Sequence, residues 1–439
     1  MPILLPDFAL VLLVGASGAG KSTFARQHFA PGEVLSSDLL RGLLAGDESD
    51  QSINRETFEL LHHLVDVRLR RRLFTVVDAT NVERDARAAL LGYARKHHAP
   101  AAAIVLNLPL DECKARNATR PGRAIPAAAV GRQHMLLQGS LSTLPREGLT
   151  AVYVLGSAEE IDAAQIRRRP LACDLRGQRG PFDIVGDIHG CFEELSDLLG
   201  RLGYALGEDP AALDGLGGYR VSHPHGRKLV LLGDFTDRGP YPVETLKLAI
   251  SAHDAGQAIC VLGNHDSKLG RALAGRDVSL KHGLGATLEA LKAQPPALAE
   301  RVIAWLETLE PHYGLDSGRL LVAHAGILPR YALRESRRVR SFALYGDTTG
   351  KYDQFGLPVR RNWAKGYHGQ ALIAYGHTPV MRATWTNNTI DLDTGCAFGN
   401  LLTALRYPEL EIVSVRARRV YYERPRPLFE PDWDAPEEA

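Results

Sequence analysis

Gly186-Asp187-Ile188-His189-Gly190 follows an apolar run, residues 182–185, and closes on a glycine. The run has the length of a short buried strand, and Gly190 lets the backbone turn away sharply. One carboxylate and one imidazole, two residues apart, therefore stand at a strand end. Alone, such a pair is more often a turn or a cap. Four later stretches repeat the arrangement after apolar runs: Gly233-Asp234-Phe235-Thr236-Asp237-Arg238-Gly239, Gly263-Asn264-His265-Asp266, His324-Ala325-Gly326 and Gly376-His377-Thr378. Five strand ends offering Asp, His, Asp, Asn, His and His make a metal cage. Donors of these types suit two hard divalent cations that share a carboxylate. The expected ligands are Asp187 and His189 for one metal, Asp234 as the bridge, and Asn264, His324 and His377 mainly for the other. His265 is left to protonate a leaving oxygen, with Asp237 to orient it and Arg238 to grip a phosphate oxygen. Such a pair of metals clamps a phosphate and activates a water for in-line attack. Asp393 is a further candidate, close behind the site.

Toward the N-terminus, the apolar run 8–14 leads into Gly15-Ala16-Ser17-Gly18-Ala19-Gly20-Lys21-Ser22-Thr23. This matches the phosphate-loop pattern without departure: glycines turn backbone N–H groups toward phosphate oxygens, Lys21 reaches the β- and γ-phosphates, and Ser22 holds magnesium. ATP or another nucleoside triphosphate with Mg2+ is the implied cofactor, bound through Gly15, Ser17, Gly18, Gly20, Lys21, Ser22 and Thr23. A strand at 33–36 ends in Ser37-Asp38-Leu39-Leu40-Arg41. Asp38 and Arg41 share a helix face, so Asp38 can accept the proton of an attacking hydroxyl while Arg41 grips a neighbouring phosphate. Asp38 as a plain N-cap fits the local sequence equally well. Asp78, at the end of the strand 73–77, fits either a magnesium shell or a turn cap. Arg116, Arg120 and Arg123 form a basic run where a lid would close over the phosphates, although such runs are usually solvated faces.

Length and composition bound the rest. At 439 residues two domains are expected: 1–170 around the phosphate loop, 171–425 around the metal motifs, and a Pro- and acid-rich tail at 426–439 expected to lack order. Segment 159–166 has a helical pattern that Arg167-Arg168-Arg169-Pro170 breaks, and 268–310 reads as a helical cap. The net charge of +1 argues against a general polyanion coat, so nucleic-acid contacts must be local. Five scattered cysteines without metal-site spacing suit a reducing compartment, and no signal or membrane span is apparent. A cytoplasmic protein with no membrane partner is expected.

The phosphate loop, Ser37-Asp38-x-x-Arg41, Val77-Asp78-Ala79-Thr80-Asn81 and the arginine lid together resemble the 5′-OH polynucleotide kinase family. That resemblance implies Asp38 as general base on a 5′-hydroxyl and Arg41 on the adjacent phosphate. The five strand-end motifs resemble the binuclear calcineurin-like metallophosphoesterases, which implies a β-sandwich flanked by helices, with manganese common. The combination resembles the bacterial polynucleotide kinase-phosphatases, whose members often carry a ligase module after the phosphoesterase. The expected fold is thus an α/β P-loop domain with a parallel sheet, followed by an α+β sandwich. The expected activities are 5′-OH phosphorylation and removal of 2′,3′-cyclic phosphate or 2′-phosphate ends. RNA or DNA ends, a separate RNA ligase and a second copy of the chain are the partners to be considered. The alternative is a protein phosphatase or dinucleoside-polyphosphate hydrolase fused to a small-molecule kinase.

Overall fold

The structure, a computed structural model, describes residues 2–120, 125–424 and 427–429. The chain divides into two compact units: Met1–Leu171 with Arg334–Ser336, and Ala172–Leu333 with Arg337–Ala439.

The first unit is built on a five-stranded parallel sheet. Across it the strands run Val34–Ser36, Thr75–Asp78, Leu10–Val14, Ala101–Leu106 and Ala151–Leu155. Leu10–Val14 and Ala101–Leu106 are buried along their whole length, as strands covered on both faces must be, so they read as unbroken apolar runs. The chain moves to one side of Leu10–Val14 for the next two strands and to the other side for the last two. Ligand crevices form at the carboxyl ends of strands where the order reverses in this way, and the phosphate loop leaves the sheet there.

One expectation fails in this unit. The helix near 159–166 stops at Asp162, and Gln165–Arg169 is a strand paired in parallel with Pro2–Pro6. Pairing with the N-terminal strand, which buries Ile3 and Leu5, overrides the local helical pattern. Arg168 of this strand pairs with Glu33 at 2.6 Å and lies 3.8 Å from the centre of the Phe74 ring.

The second unit holds two five-stranded mixed sheets. The first runs Ala258–Cys260, Lys228–Leu231, Phe182–Val185, Leu401–Tyr407, Glu411–Arg416; the second runs His312–Leu315, Leu320–Ala323, Leu372–Tyr375, Thr389–Asp391, Trp385–Thr386. Phe182, Ile184, Val230 and Leu232 of the first share one core with Leu320, Val322, Leu372 and Ala374 of the second. The sheets therefore pack face to face. Alternate residues Val185, Leu229 and Leu231 point the other way, into a core made with flanking helices. Of the five strands that precede the ligand motifs, four are interior members of these sheets and Ala258–Cys260 lies at an edge. Three lie side by side in one sheet and two side by side in the other.

The helices Leu284–Lys292 and Pro296–Thr308 bury Leu284, Leu291, Leu298, Val302 and Trp305 in the same core as Leu195 and Leu246. Segment 268–310 is thus a wall of the core rather than a cap. The tail also differs from expectation where it is described: Phe429 bridges in parallel to Val380, with its N–H donating to Pro379 O at 3.1 Å. An aromatic anchor and a free backbone edge hold Pro427–Phe429; the other tail residues expected to lack order lie outside the described residues.

Trp305 is among the largest fully buried side chains and packs 5.1 Å, ring to ring, from Phe235, next to Asp234. Trp305→Ala should destabilise the second unit by about 3–5 kcal/mol, measured by chemical denaturation of the full chain. A loss below about 1 kcal/mol would show that helix Pro296–Thr308 is an appendage after all.

Candidate active sites

In the first unit the loop 15–20 ends in helix Lys21–His28, with Gly20 at φ 93° as its cap. Gly18 also needs its glycine, because a Cβ there would stand 2.0 Å from Cys113 O. Lys21 Nζ is folded onto its own loop, donating to Gly15 O (2.8 Å) and Ala16 O (3.0 Å). Burial lowers its pKa, against the opposing pull of Asp78 and Asp38. A cavity of about 1280 Å³ opens over it, lined also by Asp38, Arg41, Asp78, Arg116 and Arg120.

Ser36, not Asp38, caps helix Ser37–Ala45, its hydroxyl accepting from Leu39 N. Asp38 stands inside the first turn with its carboxylate in the cavity. Arg41 donates to it at 2.6 Å and Arg120 at 3.3 Å. Arg41 is further held by Asn54 Oδ1 (3.0 Å) and Glu48 O (3.1 Å). Arg116 lines the cavity while paired with Glu112 at 2.6 Å. Ser17, Ser22 and Thr23 also line it, whereas Arg123 lies outside the described residues. Gln133, which sequence reasoning missed, accepts from Ser17 N at 2.8 Å and ties the loop to helix Ala127–Ser140. No local pattern marks it.

In the second unit the strand ends converge. Asp234 lies between two imidazoles: its carboxylate is 3.6 Å from His189 Nε2 and 3.5 Å from His324 Nε2. Ligand atoms of His189, Asp234 and His265 form one cluster, and those of Asp234, His324 and His377 another. Asp234 is the member common to both, and the first cluster holds His265 where Asp187 was expected. Asp187 accepts from His377 N (3.2 Å), and Asn264 Oδ1 lies 2.9 Å from His324 Nε2. Gly376 permits this closeness, since a Cβ there would sit 2.2 Å from Asp187 Oδ1.

The tautomers follow from the carbonyls. His189 Nδ1 donates to Thr236 O and His324 Nδ1 to Leu232 O, both at 2.9 Å. Each therefore turns a bare Nε2 inward, as metal-binding histidines do. Burial, first of all causes, raises Asp187 well above the usual carboxylate range and Asp234 to about 8, with Asp393 adding to both. Burial likewise drives His189 and His377 down and His324 to about 4. His377 Nε2 is buried without a hydrogen-bond partner among the described residues. Buried carboxylates facing bare imidazole nitrogens require cations, so these residues fit a pair of divalent metals.

His265 also belongs to a second chain of contacts. Its Nδ1 meets Asp237 Oδ2 at 2.5 Å, and its Nε2 receives Arg238 at 2.9 Å. Asp237, pushed by burial to about 6, also accepts from Thr287 Oγ1 at 2.7 Å and donates its N–H back to that hydroxyl. His189, Asp234, Asp237, Arg238 and His377 all have positive φ. Left-handed backbone at non-glycine residues costs of order 1–3 kcal/mol each and gathers at functional sites. Two residues that hold these turns escaped sequence reasoning. Asp266, inside a quoted motif, accepts from Asp234 N, Phe235 N and Gly263 N. Thr287, fifty residues from Asp237, carries no local signal. Asp393 is buried, accepts from Gly395 N and acts electrostatically on Asp187.

The two sites define a class: a P-loop, kinase-like unit joined to a metallophosphoesterase. Residues 180–381 match the calcineurin-like phosphoesterase family and residues 10–142 match an AAA domain. The bis(5′-nucleosyl)-tetraphosphatase PrpE [asymmetrical] of Anoxybacillus flavithermus is 44% identical over 244 residues, 55% of this chain and 96% of that protein. Its namesake in Bacillus subtilis is 43% identical over 252 residues, 56% of this chain and 99% of that protein. The chain belongs to the calcineurin-like phosphoesterases, with an AAA-type P-loop domain ahead of the phosphoesterase. Members of these two classes use divalent metals and nucleoside triphosphate with Mg2+, respectively.

Stripped of metal, the second unit should lose stability between pH 6.5 and 8. Asp234, raised to about 8, keeps its proton there when folded and has lost it when unfolded. The folded state thus binds more protons, and stability falls as pH rises, by up to about 2 kcal/mol per group. The lowered histidines act only below their unfolded value near 6.5. Calorimetry with and without chelator should show this slope in the chelated protein alone. Thr287→Val should cut turnover about tenfold for poor leaving groups, by loosening Asp237 behind His265, with Thr287→Ser restoring most of it. An equal loss on activated aryl esters would reduce Thr287 to a packing residue.

Proposed function

We propose that this chain heals broken RNA ends, phosphorylating a 5′-hydroxyl in its first unit and clearing a 2′,3′-cyclic phosphate or 2′-phosphate in its second. The observation that carries the reading is Asp38, held by Arg41 and Arg120 in the same cavity as Lys21. A hydroxyl acceptor needs a carboxylate for its proton, and a nucleic-acid acceptor brings phosphate that draws Arg41 away, freeing Asp38. Lys21 would leave its own carbonyls for the β- and γ-phosphates, with Arg116 and Arg120 facing the transferred group.

In the second unit, Asp187, His189, Asp234, Asn264, His324 and His377 would hold two divalent metals, manganese by our reading, which supply an activated water and polarise the phosphate. Arg238 would turn from His265 to the phosphate, and His265, once protonated on the freed Nε2, would deliver that proton to the departing ribose oxygen. One O–P bond forms from water as one ribose O–P bond breaks. Asp237 keeps the His265 ring directed and balances the imidazolium charge. A 5′-OH and a cyclic phosphate are the two ends of one cleaved RNA strand, neither ligatable as it stands, so a separate ligase is the partner proposed for sealing. Cytoplasmic placement accords with five buried cysteines, none of them in a disulfide, and with the lack of any membrane-crossing helix among the described residues.

A second reading is favoured by a specific finding. Relatives at 44% identity are named bis(5′-nucleosyl)-tetraphosphatases, so the second unit would instead cleave a dinucleoside polyphosphate. One experiment separates the two. Full-length protein with manganese, magnesium and labelled ATP is given an RNA bearing a 5′-OH and a 2′,3′-cyclic phosphate, and, in parallel, a bis(5′-nucleosyl) tetraphosphate. Conversion of both RNA ends, with Asp38→Ala losing at least 100-fold at the 5′ end only, is the expected result. Tetraphosphate cleavage without 5′ labelling would transfer the assignment to the second reading.

A further inference from the structure

We propose that Cys191, Glu194 and Cys396 form a structural metal site next to the phosphoesterase centre, suited to a zinc ion. One ligand atom of each, two sulfurs and a carboxylate oxygen, lies within 4.8 Å of the other two. All three side chains are buried, at 0%, 1% and 2% exposure. Two thiols and a carboxylate are donors for zinc, whereas the Asp, Asn and His donors of the catalytic cage suit harder cations. Spacing along the chain hides the set, because Cys396 comes from more than two hundred residues away.

Glu194 carries the inference. Its Oε1 accepts from Arg418 N at 2.9 Å and from Tyr421 Oη at 2.7 Å. Its Oε2 is buried with no hydrogen-bond partner among the described residues. An unpartnered carboxylate oxygen in the interior is costly, and buried charges are held in pairs or on metals. Arg418 does not supply the pairing. Its guanidinium goes to Glu193 (3.1 Å) and Asp197 (3.0 Å), and Glu194 receives its backbone N–H. The two hydrogen bonds on Oε1 fix the carboxylate, as outer donors do for metal-bound carboxylates, and leave Oε2 for the ion.

The site sits where a clamp would serve the catalytic centre. Cys191 follows His189 by two residues and Cys396 follows Asp393 by three. These two segments already run against each other, since a Cβ at Gly186 would stand 2.1 Å from Leu392 O. Cys191 caps helix Phe192–Leu202, and Cys396 opens the short turn Cys396–Phe398. A metal held by both would fasten the turn that carries His189 to the turn that follows Asp393. Each thiol would release its proton on binding, and Cys191 would give up its weak bond to His189 O, 3.7 Å long. Tyr421 is half-buried and Arg418 exposed, so the carboxylate end lies toward the surface and offers the ion a path.

The test titrates cobalt(II) into full-length protein freed of metal with a chelator and kept reduced. The catalytic cage has no sulfur ligand, so thiolate-to-cobalt charge-transfer absorption reports a cysteine site. One cobalt per chain should give this absorption, and added zinc should bleach it. Cys191→Ser and Cys396→Ser should each abolish it, and Glu194→Gln should weaken cobalt binding about tenfold or more. Wild-type protein without the absorption overturns the site. So does absorption that survives in both serine variants, or cobalt affinity that Glu194→Gln leaves unchanged. Should a serine variant fail to fold, X-ray absorption on wild-type protein saturated with zinc decides: sulfur in the zinc shell supports the site, and nitrogen and oxygen alone overturn it. Neither readout depends on catalysis, so the function proposed above stands or falls separately.

Discussion

Carboxylates crowded together in the interior are the constraint on which the second unit turns. Asp187, Asp234 and Asp393 are all at most 3% exposed and converge on one end of the sandwich. In a low-dielectric interior such groups repel one another, and their ionised forms are disfavoured unless cations sit among them. The fold tolerates this because the sheets bring the strand ends together regardless of what they carry. The apolar faces of Phe182, Ile184, Val230, Val322 and Ala374 drive that packing. The positive φ values then appear where each strand gives way to its ligand, at His189, Asp234 and His377. Core packing and the Asp266 hydrogen bonds hold turns that local preference would open. Folding and metal affinity are therefore linked: the same sandwich that creates the charge cluster is stabilised when that cluster is neutralised.

How much of this could be read from the chain alone depends on how far each interaction reaches. The phosphate loop and the five strand-end motifs announce themselves because backbone geometry, glycine and ligand all lie within a few residues. The parallel sheet followed by a sandwich follows from apolar runs whose lengths suit buried strands, and the structure shows both. Residues that act across the fold leave no such trace. Thr287 reaches Asp237 from another helix, Gln133 reaches the phosphate loop from more than a hundred residues away, and Cys396 meets Cys191 and Glu194 from more than two hundred. The strand Gln165–Arg169 departs from its local helical pattern for the same reason: its partner, Pro2–Pro6, lies more than 150 residues earlier in the chain. Asp38 is an intermediate case. Its local sequence allows an N-cap, and only the observed cap, Ser36, removes that alternative.

The two units handle phosphate by opposite electrostatic means. The first offers backbone N–H groups, one lysine and arginines already engaged with carboxylates, Arg41 and Arg120 with Asp38 and Arg116 with Glu112. The second offers an anionic cage that needs metals before it can meet a phosphate at all. Each is therefore limited by a different titration. In the second unit the His265 dyad needs Asp237 ionised, and burial places that carboxyl at about 6, which sets a lower bound. In the first, Lys21 must keep its proton to meet a phosphate, yet burial lowers its pKa, which sets an upper bound. Bound phosphate would raise Lys21 again and metals would lower the carboxylates, so substrate and cofactor widen the shared range from both sides. On the function proposed above, a chain acting on both ends of one break would gain from that overlap, because neither end could be sealed until the other had been prepared.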